Sequence, residues 1–479
     1  MSTVTPTTAT AHASAPRLKR NLSIWDAIVM AACFMGPAAS MYFNTAYAAG
    51  FAGAAMPISF VLSLIVALML CNTIGEFSKI APSAGAFYVF SSKGIGPRTG
   101  FISGWLMFIG YSLLEPAEEA LFGITVSELL KTTFNIDIPW YLLSFLAWIV
   151  VMTLSLVGAK QSMKLSMILF TAEVGILILL SVIVLVKGGN NGIHFGVFNP
   201  SLSPSGFSGI ALGMVYGMLS FVGFESATTL AEEVKNPTKN VYRALMGSTL
   251  LVGFIYIFAT FSEVNGFGLD HMKELAAEVS PFVTLATTYG SPVLVLLVAL
   301  AGLSSILAVT INCNTAISRV IYVMGREKVI PAFFGKLHAK AQTPTSAILF
   351  QSGLSLVLLY LMGFGVGPSN TYGYLGAVLT LSIIPVYMMA SIGFVLYQRK
   401  QGKLRNHVFK SLILPVVSSL LLFIPLSASF YPVPAAPYNY LPYIVLAYAA
   451  VGFFVVKRLE RDPERFKRVG EIMAEEVSA

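Results

Sequence analysis

Glutamates stand inside stretches of the sequence that are otherwise strongly apolar, among them Glu115, Glu118, Glu119, Glu173 and Glu225. A charged side chain at the centre of a bilayer costs roughly 2.5–3.5 kcal/mol on insertion scales, so a carboxylate placed there normally faces a cavity or a partner. The chemistry open to such a group is the binding of a proton or of a cationic solute. The apolar segments therefore contain candidate binding sites.

The first three glutamates lie within five residues of one another in the third apolar segment. If this segment starts with Phe101 at the inner membrane edge, a rise of 1.5 Å per residue places Glu115 about 21 Å and Glu118 about 26 Å across. Tyr111 shares a helix face with Glu115, and Glu118 joins them at the next turn. We expect this face to recognise a cationic solute or concentrate it at the entrance. Glu118 and Glu119 approach the external surface, and for these two residues a wet outer rim is the favoured prediction.

Two apolar segments contain residues that interrupt a helix about halfway along. The first segment meets Gly36 and Pro37, and the sixth meets Gly223. Proline lacks an amide hydrogen and glycine has a low helical preference, so a break in the hydrogen-bond ladder is predicted at both places. Freed backbone groups are tolerated at this depth only where they line protein or a water-filled cavity. Paired interruptions of this kind are typical of the midplane site of a transporter.

The start of a half-helix presents free amides to an anion, and its end presents carbonyls to a cation. At the first break the candidate binding residues are Phe34, Gly36, Pro37, Ala38, Ala39 and Ser40. At the second break they are Ser220, Phe221, Val222, Gly223, Phe224 and Glu225. We expect amides of residues 36–40 to hold a carboxylate, and carbonyls near Phe34, Ser220 and Val222 to accept hydrogen bonds from an ammonium group.

The two remaining glutamates have different expected roles. Glu225 directly follows the second break, where it either contacts an ammonium group or caps a half-helix. Glu173 lies in the middle of the fifth apolar segment, where a carboxyl group can load and release a proton. We predict that Glu173 couples proton movement to transport; the alternative is a hydrogen bond that locks neighbouring helices together.

Composition and charge distribution place the whole chain in a membrane. Of 479 residues, 56% are hydrophobic and 11% charged, whereas soluble proteins carry roughly 25% charged residues. Among the 30 Lys and Arg residues, only Lys131, Lys187 and Lys273 fall on one set of alternating loops. This asymmetry predicts that both termini and the basic loops are cytoplasmic. The positive charge is thus expected to meet anionic lipids and not nucleic acid.

The predicted fold is an all-α polytopic membrane protein of about twelve transmembrane helices. The transport domain covers 21–458, between a disordered cytoplasmic tail at 1–20 and a solvated cytoplasmic tail at 459–479. The spans are predicted near 22–50, 54–78, 101–130, 138–158, 164–187, 207–233, 243–266, 291–323, 344–363, 373–398, 409–430 and 440–457.

Several short motifs occur in a recognisable order along the chain. They are EFSK at 76–79, PSAGAFY at 82–88, GFE at 223–225, EE at 232–233 and MGR at 324–326. With these motifs the sequence resembles the amino acid–polyamine–organocation (APC) permeases over roughly residues 22–456. The resemblance implies two inverted five-helix repeats, near 22–187 and 207–398, followed by two extra helices near 409–457.

The resemblance also implies that spans one and six unwind around the solute, and that Phe221 or Phe224 closes over it. Two positions depart from the family pattern. Where many members have a glycine-rich run, this chain has a single Gly36 followed by proline and two alanines. Several proton-coupled relatives have a lysine at a position that resembles Glu173, 15 residues after a glycine that matches Gly158.

The function predicted from these observations is secondary active import of an amino acid across the cell membrane, by proton symport and alternating access. A putrescine-like polyamine or cationic amine held by Glu115 and Glu225 is the alternative solute, and exchange of amino acids is the alternative mode. No nucleophile, Walker or zinc-binding motif points to an enzyme. No cofactor is expected, and a proton gradient is favoured over sodium as the coupling ion. The oligomeric state is not predicted.

Overall fold

The computed structural model describes residues 23–80, 86–157, 163–228, 234–338, 343–467 and 469. Several predicted features lie outside these residues: the tail at 1–20, motif residues 82–85 and 232–233, Gly158, and the end of the C-terminal tail at 470–479. The described residues form α-helices joined by short 3₁₀ and π segments, with no strand among them. The prediction of an all-α polytopic fold is confirmed.

The first half of the chain contains nine α-helices, of which α6 is the longest. They are α1 (Ile24–Phe34), α2 (Pro37–Ala39), α3 (Thr45–Ala52), α4 (Met56–Ile80), α5 (Ala86–Gly94), α6 (Pro97–Phe134), α7 (Trp140–Val157), α8 (Met163–Val186) and α9 (Gly206–Phe221). A π-helical segment, Ser40–Asn44, joins α2 to α3, and a 3₁₀ segment, Gly53–Ala55, joins α3 to α4. Two further 3₁₀ segments precede α9, at Phe195–Phe198 and Pro200–Leu202.

The second half also contains nine α-helices. They are α10 (Pro237–Phe267), α11 (Met272–Ala277), α12 (Pro281–Tyr289), α13 (Pro292–Arg326), α14 (Thr345–Val366), α15 (Pro368–Lys400), α16 (Leu414–Ala428), α17 (Leu441–Leu459) and α18 (Pro463–Lys467). Between these helices lie 3₁₀ segments at Phe224–Thr228, Leu269–His271, Ala332–Gly335 and Leu404–His407, and a π segment at Phe409–Ile413.

Ten helical stretches of the described residues are long and apolar enough to cross a membrane. One of them, Ile24–Lys79, contains the first two predicted spans. The third predicted span is α6, which is not among the ten and carries three glutamates within five residues. With 38 residues, α6 is about 57 Å long, nearly twice the thickness of a hydrocarbon core.

Helix α6 is the centre of the bundle, because α5, α7, α13, α14, α15 and α17 all pack against it. Glycines allow close approach at several of these contacts. An added Cβ on Gly100 would lie 2.6 Å from the Ser92 Cβ, and one on Gly217 would lie 2.5 Å from the Ser63 Oγ. Small residues thus allow these helices to pack closely, as is typical of helices in membranes.

The beginning of the C-terminal tail differs from its prediction as a solvated segment. Arg98 forms an ion pair with Glu460, just after α17 ends. The Val469 side chain is buried, and its carbonyl accepts a hydrogen bond from the Ser92 hydroxyl at 2.9 Å. This part of the tail packs on α5 and the start of α6, because its apolar residues cover the end of the bundle.

The contact between Gly94 and Gly393 gives a direct test of this packing. A Cβ on Gly94 would lie 2.5 Å from backbone atoms of Gly393, whereas one on Gly175 would meet no atom within 4 Å. Overpacking typically costs 1–3 kcal/mol. We therefore expect Gly94→Ala to lower the thermal unfolding midpoint of the purified protein, and Gly175→Ala to leave it unchanged or raise it. Equal midpoints for the two variants would contradict the close α5–α15 contact.

Candidate functional site

The first helix break lies at Met35 and Gly36, as predicted. Helix α1 ends at Phe34, and α2 begins at Pro37. Gly36 adopts the left-handed conformation (φ 53°, ψ 67°), which disfavours residues with a Cβ. Space is limiting as well, since an added Cβ would lie 2.3 Å from the Val309 side chain on α13.

The second break lies at Val222 and Gly223, also as predicted. Helix α9 ends at Phe221, Val222 is extended (φ −56°, ψ 133°), and Gly223 has a φ of 100°. An added Cβ on Gly223 would lie 2.1 Å from the Phe34 ring. The end of α1 therefore lies directly against the break in the sixth span, so the two breaks meet in space.

Tyr256 on α10 joins the two breaks. Its hydroxyl lies 3.0 Å from the Met35 carbonyl and 2.9 Å from the Ser220 carbonyl. A single hydroxyl hydrogen serves both acceptors, either shared or alternating. The Ser40 hydroxyl also donates to the Met35 carbonyl, at 3.0 Å. The carbonyls freed by both breaks thus have side-chain donors.

Glu173 on α8 reaches the first break. Its Oε1 accepts a hydrogen bond from the Ala38 amide at 2.7 Å and another from the Ser305 hydroxyl on α13 at 2.7 Å. The amides of residues 36–40 were predicted to hold a carboxylate of the solute. In this structure the Ala38 amide holds a carboxylate of the protein itself, while the Ser40 amide donates to the Gly36 carbonyl at 2.8 Å.

Glu225 caps the second break. Its Oε2 accepts a hydrogen bond from the Gly223 amide at 3.2 Å and lies 3.5 Å from the Tyr387 hydroxyl on α15. Its Oε1 accepts a short hydrogen bond from the Tyr111 hydroxyl on α6. The capping role considered for Glu225 is therefore present in this conformation, and Tyr111 contacts Glu225 from the third span.

Both phenylalanines considered as a lid are fully buried in ring contacts. Phe221 packs edge-on against Tyr256, with ring centroids 5.2 Å apart, and Phe224 packs edge-on against Tyr387 at 5.7 Å. The ring that covers the break at Gly223 is instead Phe34, which is only partly buried.

Glu115 does not lie with Tyr111 at the second break. Its carboxylate accepts hydrogen bonds from the Asn314 amide on α13, at 2.9 and 3.0 Å, and from the Gln351 amide on α14, at 2.9 Å. Two of the three residues predicted to share a cavity face therefore have different partners. Tyr111 contacts the sixth span, and Glu115 contacts α13 and α14.

The prediction of a wet outer rim at Glu118 and Glu119 is wrong. Their side chains are 3% and 1% exposed. The cause is the length of α6, which continues to Phe134 and is covered by α13, α14 and α15 at this level. Glu119 accepts a hydrogen bond from the Ser355 hydroxyl on α14 at 2.7 Å.

The sequence analysis missed several polar residues near the breaks. Glu263 on α10 is fully buried, and its Oε1 accepts a hydrogen bond from the Thr45 hydroxyl at 2.9 Å. Asn44 links two elements, because its amide donates to the Ser220 hydroxyl at 2.8 Å and its Oδ1 accepts from the Tyr372 hydroxyl at 2.6 Å. The rule that singled out the other buried glutamates would also have found Glu263.

Comparison with known proteins identifies the family. The sequence model of the amino acid permease family matches residues 28–456. The branched-chain amino acid permease BcaP of Lactococcus lactis is 25% identical over 78% of this chain and 81% of its own length. The low-affinity putrescine importer PlaP of Escherichia coli is 25% identical over 86% and 89%.

A third relative is the glutamate/serine transporter AimA of Bacillus subtilis, which is 25% identical over 74% of this chain and 67% of its own length. The family model covers most of the helical bundle, including both breaks. The chain belongs to the amino acid permease family, within the APC superfamily.

Proposed function

We propose that this protein imports an amino acid across the cell membrane by proton symport, with alternating access to a site between the two helix breaks. The observation that carries the proposal is the position of Glu173, whose carboxylate bonds the Ala38 amide at the first break. A titratable group thereby occupies the backbone donor that the carboxylate of an amino acid would need.

Competition for the Ala38 amide supplies a physical basis for coupling. An ionised Glu173 is a strong acceptor for this amide, since charge-assisted hydrogen bonds are about twice as strong as neutral ones. A proton on Glu173 removes the charge and weakens this contact. The carboxylate of the solute then takes the amide, where the positive end of the half-helix stabilises it. Proton binding and solute binding favour each other by this route.

The carbonyl side of the breaks suits the ammonium group of the same solute. The Met35 and Ser220 carbonyls already meet at the Tyr256 hydroxyl, so their oxygens are close together. An ammonium group has three donors and no acceptor. It therefore complements a site in which carbonyls converge, while the carboxylate end complements the amide of Ala38.

The two glutamate contacts lie where alternating access requires change. We propose that spans one, two, six and seven rock against the rest of the bundle. Glu173 joins the first span to α8 and α13, and Glu225 joins the sixth span to Tyr111 on α6. Both contacts cross the boundary between the two parts, so their making and breaking accompanies the motion.

The positive-inside distribution supports a cell-membrane orientation with both termini in the cytoplasm. Import of a zwitterionic amino acid with one proton then moves one positive charge inward, and the membrane potential contributes about 2.3 kcal/mol per 100 mV. The relatives named above handle branched-chain amino acids, putrescine, and glutamate or serine. Similarity alone therefore leaves the solute open.

A second candidate function is the import of a cationic amine. The observation that favours it is Glu118, a buried carboxylate with an unpaired oxygen. Competition by putrescine but not by zwitterionic amino acids would support this candidate, and the reverse result would support the first.

Glu173→Gln tests the coupling mechanism. Glutamine keeps the size of the side chain but cannot exchange a proton, so we expect at least a tenfold loss of uptake driven by an inward proton gradient, while exchange across the membrane continues. The measurement is radiolabelled uptake into proteoliposomes with and without the gradient, using a panel of amino acids and polyamines.

Glu119→Gln is the matched control, because Glu119 is also buried and also bonded to a serine hydroxyl, but on α14. This variant should retain stimulation by the gradient. Uptake that ignores the gradient in both the wild type and Glu173→Gln would overturn the coupling mechanism.

Tyr256→Phe tests the junction of the two breaks. The substitution removes the donor from two buried carbonyls, and a hydrogen bond of this kind contributes about 0.5–1.5 kcal/mol. We expect a lower thermal unfolding midpoint and weaker binding of the transported amino acid. Tyr397→Phe is the control, since the Tyr397 hydroxyl has no hydrogen bond to a described residue and its ring packs on Phe77. Identical effects of the two variants would argue against the junction.

A further inference from the structure

Glu118 has an environment unlike that of its two neighbours on α6. Glu115 accepts hydrogen bonds from Asn314 and Gln351. Glu119 accepts one from Ser355 through Oε2, although its Oε1 is buried without a partner. No described residue donates a hydrogen bond to Glu118, whose Oε2 is completely buried without a partner. A buried polar group without a partner calls for a specific explanation, and for a carboxylate the cost is especially high.

The position of Glu118 on α6 places it on the side of the transport path. At 3.6 residues per turn, Glu118 is about 20° from Tyr111 around the helix, seven residues and roughly 10 Å further along. Tyr111 contacts Glu225 at the second break. Glu115 and Glu119 are rotated by roughly 40° and 80° from Tyr111, which agrees with their partners on α13 and α14.

Helices α13 and α15 pack against α6, and Tyr372 lies on α15. None of the ion pairs formed by the described residues includes any of the α6 glutamates. The Glu118 carboxylate therefore lacks a counter-charge from the described part of the protein.

Tyr372 connects this region to the second break. Its hydroxyl donates to Asn44 at 2.6 Å, and the Asn44 amide donates to Ser220 at 2.8 Å. Two more aromatic rings adjoin Tyr372, with the centroid of Phe43 at 6.3 Å and that of Tyr47 at 5.8 Å. The faces of aromatic rings attract organic cations.

We propose that Glu118 is a subsite for a second ammonium group of the solute, as in a diamine or an amino acid with a cationic side chain. The solute would span from the helix breaks to Glu118, and its distant ammonium group would supply the missing counter-charge. Among the described residues no three His, Cys, Asp or Glu side chains are placed to hold a metal ion. The inference rests on the proposed transport function and specifies its substrate class.

The test uses ligand pairs that differ mainly in one terminal ammonium group: lysine against norleucine, and putrescine against 1-aminobutane. Binding is measured to purified full-length protein in lipid nanodiscs, for the wild type, Glu118→Gln and Glu119→Gln. We expect the wild type to bind at least one charged ligand about tenfold or more tightly than its neutral partner, since hydrogen bonds to charged groups contribute this much. Glu118→Gln should abolish the preference, and Glu119→Gln should keep it.

Several results would overturn the subsite. One is a Glu118→Gln variant that still prefers the charged ligand as strongly as the wild type does. Another is a variant that binds both ligands of a pair more weakly by the same factor, because an equal loss indicates a structural role. A changed pH dependence with an unchanged preference would make Glu118 a proton site instead. If Glu118→Gln does not fold, the binding of each ligand pair to the wild type still tests the proposal. A wild type that prefers neither lysine over norleucine nor putrescine over 1-aminobutane contradicts the subsite.

Proteoliposome uptake separates this inference from the proposed function. Gradient-driven uptake of norleucine without uptake of lysine or putrescine would remove the subsite and leave the amino acid transporter in place. If none of these solutes, nor any other amino acid or polyamine, is taken up, the proposed function fails as well.

Discussion

Backbone groups released from a helix inside a membrane must be given partners by the protein, because lipid supplies none. The two breaks in this bundle release such groups at the same place, and the surrounding helices are arranged to receive them. At each break a carboxylate takes an amide, Glu173 at Ala38 and Glu225 at Gly223, while Tyr256 serves a carbonyl of each. The organisation of the site follows from this requirement.

Those partners bring charge into the bilayer, and the charge in turn needs support. Glu173 is also bonded by Ser305, and Glu225 by Tyr111. Each glutamate thereby ties a broken span to a continuous one. A contact of this kind holds the break in one conformation. Under the proposed mechanism a proton weakens the contact, so the same atoms stabilise the break and control its motion.

Local features were predictable from the sequence, and long-range partners were not. Gly36-Pro37 and Gly223 predict breaks because backbone preference acts within a few residues. The contact between Glu173 and Ser305 joins residues 132 positions apart, and no periodicity in the sequence specifies it. Glu118 and Glu119 were misplaced because α6 starts before Phe101 and extends to Phe134. Tyr256 escaped notice because a single tyrosine in an apolar span resembles any other buried aromatic residue.

Glu115, Glu118 and Glu119 illustrate how one helix, α6, can combine structural support with the proposed recognition. Glu115 accepts hydrogen bonds from α13 and α14, and one oxygen of Glu119 accepts a hydrogen bond from α14, so both residues tie α6 to these helices. A carboxylate that already has such a donor gains less from an arriving solute than a carboxylate without one. A protein can discriminate between solutes by charge when a buried group has no partner until the correct ligand binds. A ligand that lacks the matching charge leaves this group without a partner, and the cost of removing the group from water is then not offset. In the proposed subsite, Glu118 acts in this way on the face that α6 shares with Tyr111.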